Sequence, residues 1–290
     1  MKLKYQKEPF NFGGLEPATW DKARVAVLPI PYESTTTYGG GTARGPSAII
    51  DASRHMELWD IELGKDFSRL GFFTFPELEP DMSGPEQTMG RIQDAVAEIV
   101  KDEKWPLVLG GEHSITPAVV AAVQSKYKKL SVLQIDAHTD LRNEYQGTKY
   151  SHACAMRRVY DLNIPTAAVG IRSVSEEETK FISNAKLASR IFYAPEIPVD
   201  TVLKCLSDYV YITVDVDGFD SSIMPGTGTP EPGGLNWYQV IDLLRAVGKQ
   251  KKIVGADIVE LAPIPGQPAE DFLAAKLAYK IIGYSFFGRK

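Results

Sequence analysis

Short apolar runs recur along the chain at 25–28, 70–73, 107–109, 132–135, 167–169, 191–193, 210–214 and 253–258, and longer amphipathic stretches separate them. The runs are rich in Val, Ile and Leu without alternating polar residues, the pattern of strands covered on both faces. Strands that alternate with helices build βαβ units around a parallel sheet. Between runs, Met89, Ile92, Val96 and Ile99 step by three and four residues, and Ile241, Leu243, Leu244 and Val247 do much the same. Each set puts one apolar stripe on a helix. Pro46 and Pro85 stand where helices would begin, a position that suits their fixed φ and missing donor. We therefore expect an α/β fold with a mostly parallel sheet of about eight strands.

The 290 residues approach twice the roughly 150-residue domain norm, but single α/β domains also reach this length. No repeat, low-complexity tract or Ser/Gly linker divides the sequence, so a single domain over residues 1–290 is expected. Charge narrows the partners. The net charge of −5 comes without a basic block, which leaves no footprint for nucleic acid or an anionic membrane. Two cysteines, Cys154 and Cys205, are too few for a disulfide framework, and residues 1–7 are too polar for a secretory signal. With no apolar run near the 18 or so residues that span a bilayer, a cytoplasmic location is expected.

Ligands of open α/β sheets bind beyond the carboxyl ends of the strands. Four runs end there in acid or imidazole: Gly110-Gly111-Glu112-His113-Ser114, Asp136-Ala137-His138-Thr139-Asp140, Asp215-Val216-Asp217-Gly218 and Asp257-Ile258-Val259-Glu260. In an extended chain Asp136, His138 and Asp140 point to one face, as do Asp215 and Asp217. An aspartate at a strand end is commonly a helix cap, but here the clustering outweighs that reading. Of four histidines, His113, His138 and His152 fall in one stretch that also holds Asp136 and Asp140. Four carboxylates with two imidazoles are neutralised by two divalent ions and overcharged by one. Oxygen-rich ligation with some imidazole favours Mn²⁺, so two manganese ions are expected. Such a centre activates water for hydrolysis, and phosphoester, peptide and amidine substrates all stay open at this point.

These four segments, together with Ser151-His152, Gly41-Thr42-Ala43-Arg44-Gly45-Pro46-Ser47 and the run Pro-Gly-Thr-Gly-Thr-Pro-Glu-Pro-Gly-Gly at 225–234, resemble the signatures of the ureohydrolases, the family of arginases, agmatinases and formimidoylglutamases. The likeness spans nearly the whole chain. It implies a three-layer α/β/α fold whose binuclear manganese centre hydrolyses a guanidinium group to urea and an amine. By motif matching, His113, Asp136, Asp140 and Asp215 would hold one ion and Asp136, His138, Asp215 and Asp217 the other. The likeness also gives Asp140 the proton passed to the leaving amine, Glu260 the grip on the guanidinium, His152 a proton shuttle near the cavity mouth, and Thr229 a supporting place in the pocket. It further implies a homo-trimer or homo-hexamer.

The sequence departs from arginases where they read an α-amino acid: Leu141-Arg142-Asn143-Glu144 follows Asp140, and Ser173-Val174-Ser175 follows Arg172. Arginine is disfavoured, and agmatine, cleaved to urea and putrescine, is the expected substrate. A guanidinobutyrase, an arginase or another guanidino-acid ureohydrolase is the alternative, with guanidinobutyrate favoured if Arg142 points inward, and a catalytically silent metal-binding scaffold is a third reading. The remaining features have plainer expectations. Gly39-Gly40-Gly41 suggests a mobile rim loop, Cys154 a small buried hydrophobe, His55 a structural or exposed residue, and Lys126, Lys128 and Lys129 a solvated helix end. Tyr38, Trp59 and Trp237 are read as packing or interface residues, with Tyr38 close enough to the glycine loop to touch a substrate.

Overall fold

The computed structural model describes residues 9–289; the polar start at 1–7, on which the reading of a missing secretory signal rests, lies outside the described residues. Seven of the eight expected runs fall wholly on strands of one sheet, and the run at 70–73 falls on one in part. The first half of the chain runs β1 (Val25–Ile30), α1 (Gly45–Ser53), β2 (Trp59–Asp60), β3 (Lys65–Asp66), β4 (Phe72–Thr74), α2 (Pro85–Lys101), β5 (Trp105–Gly110), α3 (Thr116–Lys126) and β6 (Leu130–Ile135). The second half runs α4 (Ala155–Asp161), β7 (Thr166–Ile171), α5 (Glu176–Asn184), β8 (Ile191–Tyr193), α6 (Val199–Cys205), β9 (Tyr209–Asp215), α7 (Trp237–Gln250), β10 (Lys252–Val259) and α8 (Ala269–Phe287). The sheet order is β4-β1-β5-β10-β9-β6-β7-β8 with every neighbouring pair parallel.

Alternate side chains of each strand point to opposite faces, and both faces are covered. Val25, Val27, Leu107, Leu109, Ile212 and Val214 pack with α1, α6, α7 and α8, whereas Ala26, Leu28, Val108, Val132 and Tyr211 pack with α2, α3, α4 and α5. That is the expected three-layer α/β/α arrangement. In α2 the stripe Met89, Ile92, Val96 and Ile99 is buried as its spacing requires, Pro85 opens the helix, and Lys101 closes it. Burying each large apolar side chain contributes about 1.5–3 kcal/mol, so Ile92→Ala would cost about 2–5 kcal/mol. None of the described helices is long and apolar enough to cross a membrane.

Two details differ from expectation. Leu70 ends a 3-10 turn that Gly71 closes at φ 70°, so β4 begins at Phe72. The antiparallel ribbon of β2 and β3 went unanticipated, because strands of two residues carry no period. Register matters most for the site. Leu109, Ile258, Val214 and Ile135 lie in one row across β5, β10, β9 and β6. The chain leaves all four strands at the same level, which brings Asp136 and Asp215 side by side.

Candidate active site

Tight turns steer the ligands inward. A Cβ on Gly111 would sit 2.1 Å from the Tyr32 carbonyl oxygen, and one on Gly218 would sit 2.8 Å from the Asp136 nitrogen. Only glycine lets the β5 and β9 turns pack that closely. Asp140 (φ 52°) and Glu260 (φ 65°) hold left-handed backbone without being glycine, a strain of about 1–3 kcal/mol each. Surrounding contacts fix both: Glu178, from the capping box of α5, accepts Thr139 Oγ1 (2.6 Å) and Leu141 N–H (2.9 Å). Glu260 donates its N–H to Gly111 O at 2.7 Å and accepts the His113 N–H at 2.6 Å.

The six expected ligands converge. His113 Nδ1 lies 2.9 Å from Asp140 Oδ2, 3.2 Å from Asp136 Oδ2 and 3.6 Å from Asp215 Oδ2. His138 Nδ1 lies 2.9 Å from Asp217 Oδ2 and 3.7 Å from Asp136 Oδ1. Asp136 thus turns one oxygen toward each imidazole, the placement of a bridging ligand. Two overlapping triads, His113–Asp136–Asp140 and Asp136–His138–Asp217, each bring their ligand atoms within 4.8 Å. Asp215 stands beside the first triad and accepts the Asp217 N–H at 2.9 Å. His113 Nδ1 is buried among these oxygens and makes no hydrogen bond. A divalent cation fits that set of donors.

Neighbouring groups orient the ligands. Thr213 Oγ1 donates to Asp257 Oδ1 at 2.6 Å and so meets His113 Nε2, 2.9 Å away, as an acceptor. Nε2 then carries the hydrogen and Nδ1 offers its lone pair to the cluster, as ligating histidines generally do. Thr116 and Tyr211 also donate to Asp257. Gln134 Nε2 donates to Asp136 Oδ2 at 2.8 Å. On the cavity side, Thr229 Oγ1 donates to Asp217 Oδ2 at 3.3 Å. Sequence reasoning assigned no role to Thr213, Gln134 or Glu112, and it quoted Asp257 without one. The one available signal was a carboxylate set within the apolar run at 253–258, which is costly to bury unless it is put to use.

Without counter-ions the cluster cannot ionise freely. Burial and then Asp136 push the Asp140 carboxyl up to about 7. Burial, Asp217 and Asp136 raise Asp215 well above the carboxylate range. Burial opposes a charged His138, yet hydrogen bonds to Asp136 and Asp217 outweigh it and hold the ring up to about 12. Burial and the neighbouring His113 and His138 charges lower His152 to about 4, which keeps it neutral at pH 7. Burial also raises Glu260, so a cationic guanidinium would be its natural counter-charge.

His138, Asp140, His152, Asp217, Thr229 and Glu260 open onto a cavity of about 200 Å³. Arg142 lines it too and stacks on Tyr145, 4.7 Å from the ring centre. A larger apolar cavity of about 720 Å³ between Trp20 and α2 contains none of the site residues, so chemistry rather than size marks the site. Tyr38 is 85% exposed, and its neighbour Thr37 lines the cavity instead. The glycine loop is tied down: Gly39 N–H donates to Gly228 O, and the Gly41 and Ala43 N–H groups donate to Glu33. Cys154 is buried, which pushes its thiol up to about 11 and leaves it a poor nucleophile. His55, Lys126, Lys128 and Lys129 are exposed. Trp237 stacks on Phe219.

A parallel α/β/α sheet carrying a carboxylate–imidazole cluster at the ends of β5, β6, β9 and β10 defines an arginase-like metal-site hydrolase. The chain belongs to the arginase family, whose pattern matches residues 23–283. It is 38% identical to an N(1)-aminopropylagmatine ureohydrolase of Synechocystis, over 97% of this chain and 95% of that protein. It is 33% identical to an agmatinase of Pyrococcus horikoshii, over 91% and 92% respectively. Among solved structures, the agmatine ureohydrolase of Thermoplasma volcanium superposes with a TM-score of 0.85 at 31% identity, covering 98% of this chain and 95% of that one.

Proposed function

We propose that this protein is a manganese ureohydrolase that releases urea from a linear guanidino-amine, with residues 1–290 acting as one domain. The convergence of six candidate metal-ligand side chains, four of which line one small cavity with Glu260, carries the proposal. His113, Asp136, Asp140, Asp215, His138 and Asp217 would hold two ions, which supply Lewis acidity and an activated water when bound. Glu260 keeps Oε1 on the His113 N–H and presents its other oxygen to the guanidinium, a charge-assisted contact. Thr229 braces Asp217 at the same wall. Asp140 would pass a proton to the leaving amine, the role the family motif implies for it. Neutral His152 exchanges protons at the cavity side.

Within this class, agmatine, which gives putrescine, is the substrate the sequence favours. The Synechocystis relative favours a second reading, the aminopropyl-extended amine named for that enzyme. Arg142 at the cavity wall is the feature that would admit an acidic guanidino tail. The test is urea release by the Mn²⁺-loaded protein from agmatine, N(1)-aminopropylagmatine, arginine and guanidinobutyrate, ranked by kcat/KM. Preference for either amine supports the proposal. Preference for guanidinobutyrate keeps the reaction and overturns the substrate class, and no turnover of any of them overturns the function. A homo-trimer or hexamer belongs to the same proposal and is tested by light scattering.

A further inference from the structure

The loop after β1 and the turn after β5 meet in a hydrogen-bonded unit that ends on His152. Its centre is the Glu112 carboxylate, which is fully buried. Oε2 accepts the backbone N–H groups of Ser34 at 2.7 Å and Thr35 at 2.6 Å. Oε1 accepts the hydroxyls of Thr35 at 3.0 Å and Ser114 at 2.5 Å. The two backbone N–H groups can only donate and the two hydroxyls complete the roughly four lone-pair sites of a carboxylate, hydrogen bonds that oppose the burial pushing its pKa up. The single hydroxyl proton of Thr35 is therefore directed to Glu112. The same Thr35 oxygen accepts the His152 backbone N–H at 3.0 Å and lies 3.1 Å from His152 Nδ1. With its proton committed, it meets Nδ1 as an acceptor.

We propose that Glu112 and Thr35 form a carboxylate–hydroxyl relay that locks His152 as its Nδ1–H tautomer and leaves Nε2 as the proton-accepting atom. Both are positioning residues, because they act through the ring and touch no reacting atom. His113 carries its hydrogen on the opposite nitrogen, set by Thr213 and Asp257. One threonine per histidine thus gives two neighbouring imidazoles opposite tautomers, one suited to ligation and one to proton transfer. Glu112 directly precedes His113 in sequence, so a single turn places a metal ligand and orients a base. The inference rests on the proton-exchange role proposed above for His152.

The experiment uses protein labelled with ¹⁵N at its four histidines and loaded with diamagnetic Zn²⁺. Loss of a signal in His152→Asn assigns His152, and long-range ¹H–¹⁵N spectra report which of its nitrogens is protonated. The expected spectrum shows Nδ1–H in the wild type and in Thr35→Ser, and an Nε2–H population in Thr35→Val. In the Mn²⁺-loaded enzyme, Thr35→Val should lower kcat about 10- to 100-fold, the usual range for outer-shell partners, with KM within about twofold and full rescue by Thr35→Ser. A wild-type His152 protonated at Nε2, or a Thr35→Val protein that keeps both tautomer and kcat, overturns the relay. If the wild type releases no urea from any guanidino compound, the proposed function fails, while the nitrogen spectrum still decides the tautomer.

Discussion

In two of the places where the molecule buries charge, it treats that charge in opposite ways. Beside the β2–β3 ribbon, Lys280 Nζ donates to Asp60 at 2.9 Å and to Glu62 at 2.6 Å, Tyr284 donates to Glu62 at 2.7 Å, and Arg245 reaches the other Glu62 oxygen. Asp60 and Glu62 there face Lys280 and Arg245, two charges of each sign, with the more exposed Asp242 on the outer side of Arg245. At the sheet ends Asp136, Asp140, Asp215, Asp217 and Glu260 gather around two imidazoles, and among the described residues no lysine or arginine forms an ion pair with them. The residue types are similar. What differs is whether the fold supplies its own counter-charge or leaves it to ions and substrate.

Metal removal should separate the two clusters most sharply. A chelator should take urea release to background, and Mn²⁺ should restore it. The melting temperature should also fall, because ions at a hundredfold excess over Kd contribute about 2.7 kcal/mol. Urea release that survives in protein shown to be metal-free would end the contrast. The next largest effect belongs to the paired cluster. Lys280→Met strands the Asp60 carboxylate and leaves Glu62 with Arg245 alone as its cation, which should cost about 3–5 kcal/mol in denaturant unfolding, while kcat per folded molecule stays unchanged. Conversely, Glu260→Gln removes an uncompensated acid, so metal-free stability should hold or rise. Its kcat/KM should drop about 10- to 150-fold through loss of a charge-assisted contact of about 1.5–3 kcal/mol. A Glu260→Gln protein that unfolds more easily would mean that this carboxylate serves the fold rather than the substrate.

The smallest effect is one of pH. Burial disfavours an ionised Glu62, but Arg245, Lys280 and Tyr284 outweigh it and hold the carboxyl down to about 2. A carboxyl lowered in the folded state stabilises fully above its unfolded value, and that contribution fades as pH falls from about 4.5 toward 2. After solvent screening it amounts to roughly 1 kcal/mol. Melting curves of the wild type and Glu62→Gln should therefore converge as pH falls through that window, and curves that stay parallel would remove Glu62 from the balance.

How much of this was legible in the sequence follows from the range of each interaction. The eight sheet strands could be read because burial on both faces writes an unbroken apolar run. α8 could not, since Ala274, Leu277, Tyr279 and Ile281 are buried on several sides and leave no single stripe. The clustering of candidate metal ligands could be read because Asp136, His138 and Asp140 share a strand end, as do Asp215 and Asp217. The partners Thr35 of His152 and Thr213 of His113 lie 117 and 100 residues away from their histidines. Only the adjacency of neighbouring strands brings them together, and no local pattern encodes it. Glu260 and His152 gained their roles from family likeness and their surroundings from the structure.

The position of β10 governs when the enzyme can exist during its own synthesis. The last strand made is inserted between β5 and β9, near the middle of the sheet. Until it arrives, both neighbours present open edges able to pair with other chains, and Glu260 has no place to stand. Such long-range closure folds slowly. A nascent chain stalled short of β10 would hold most of the candidate metal ligands on an unfinished scaffold that still lacks Glu260.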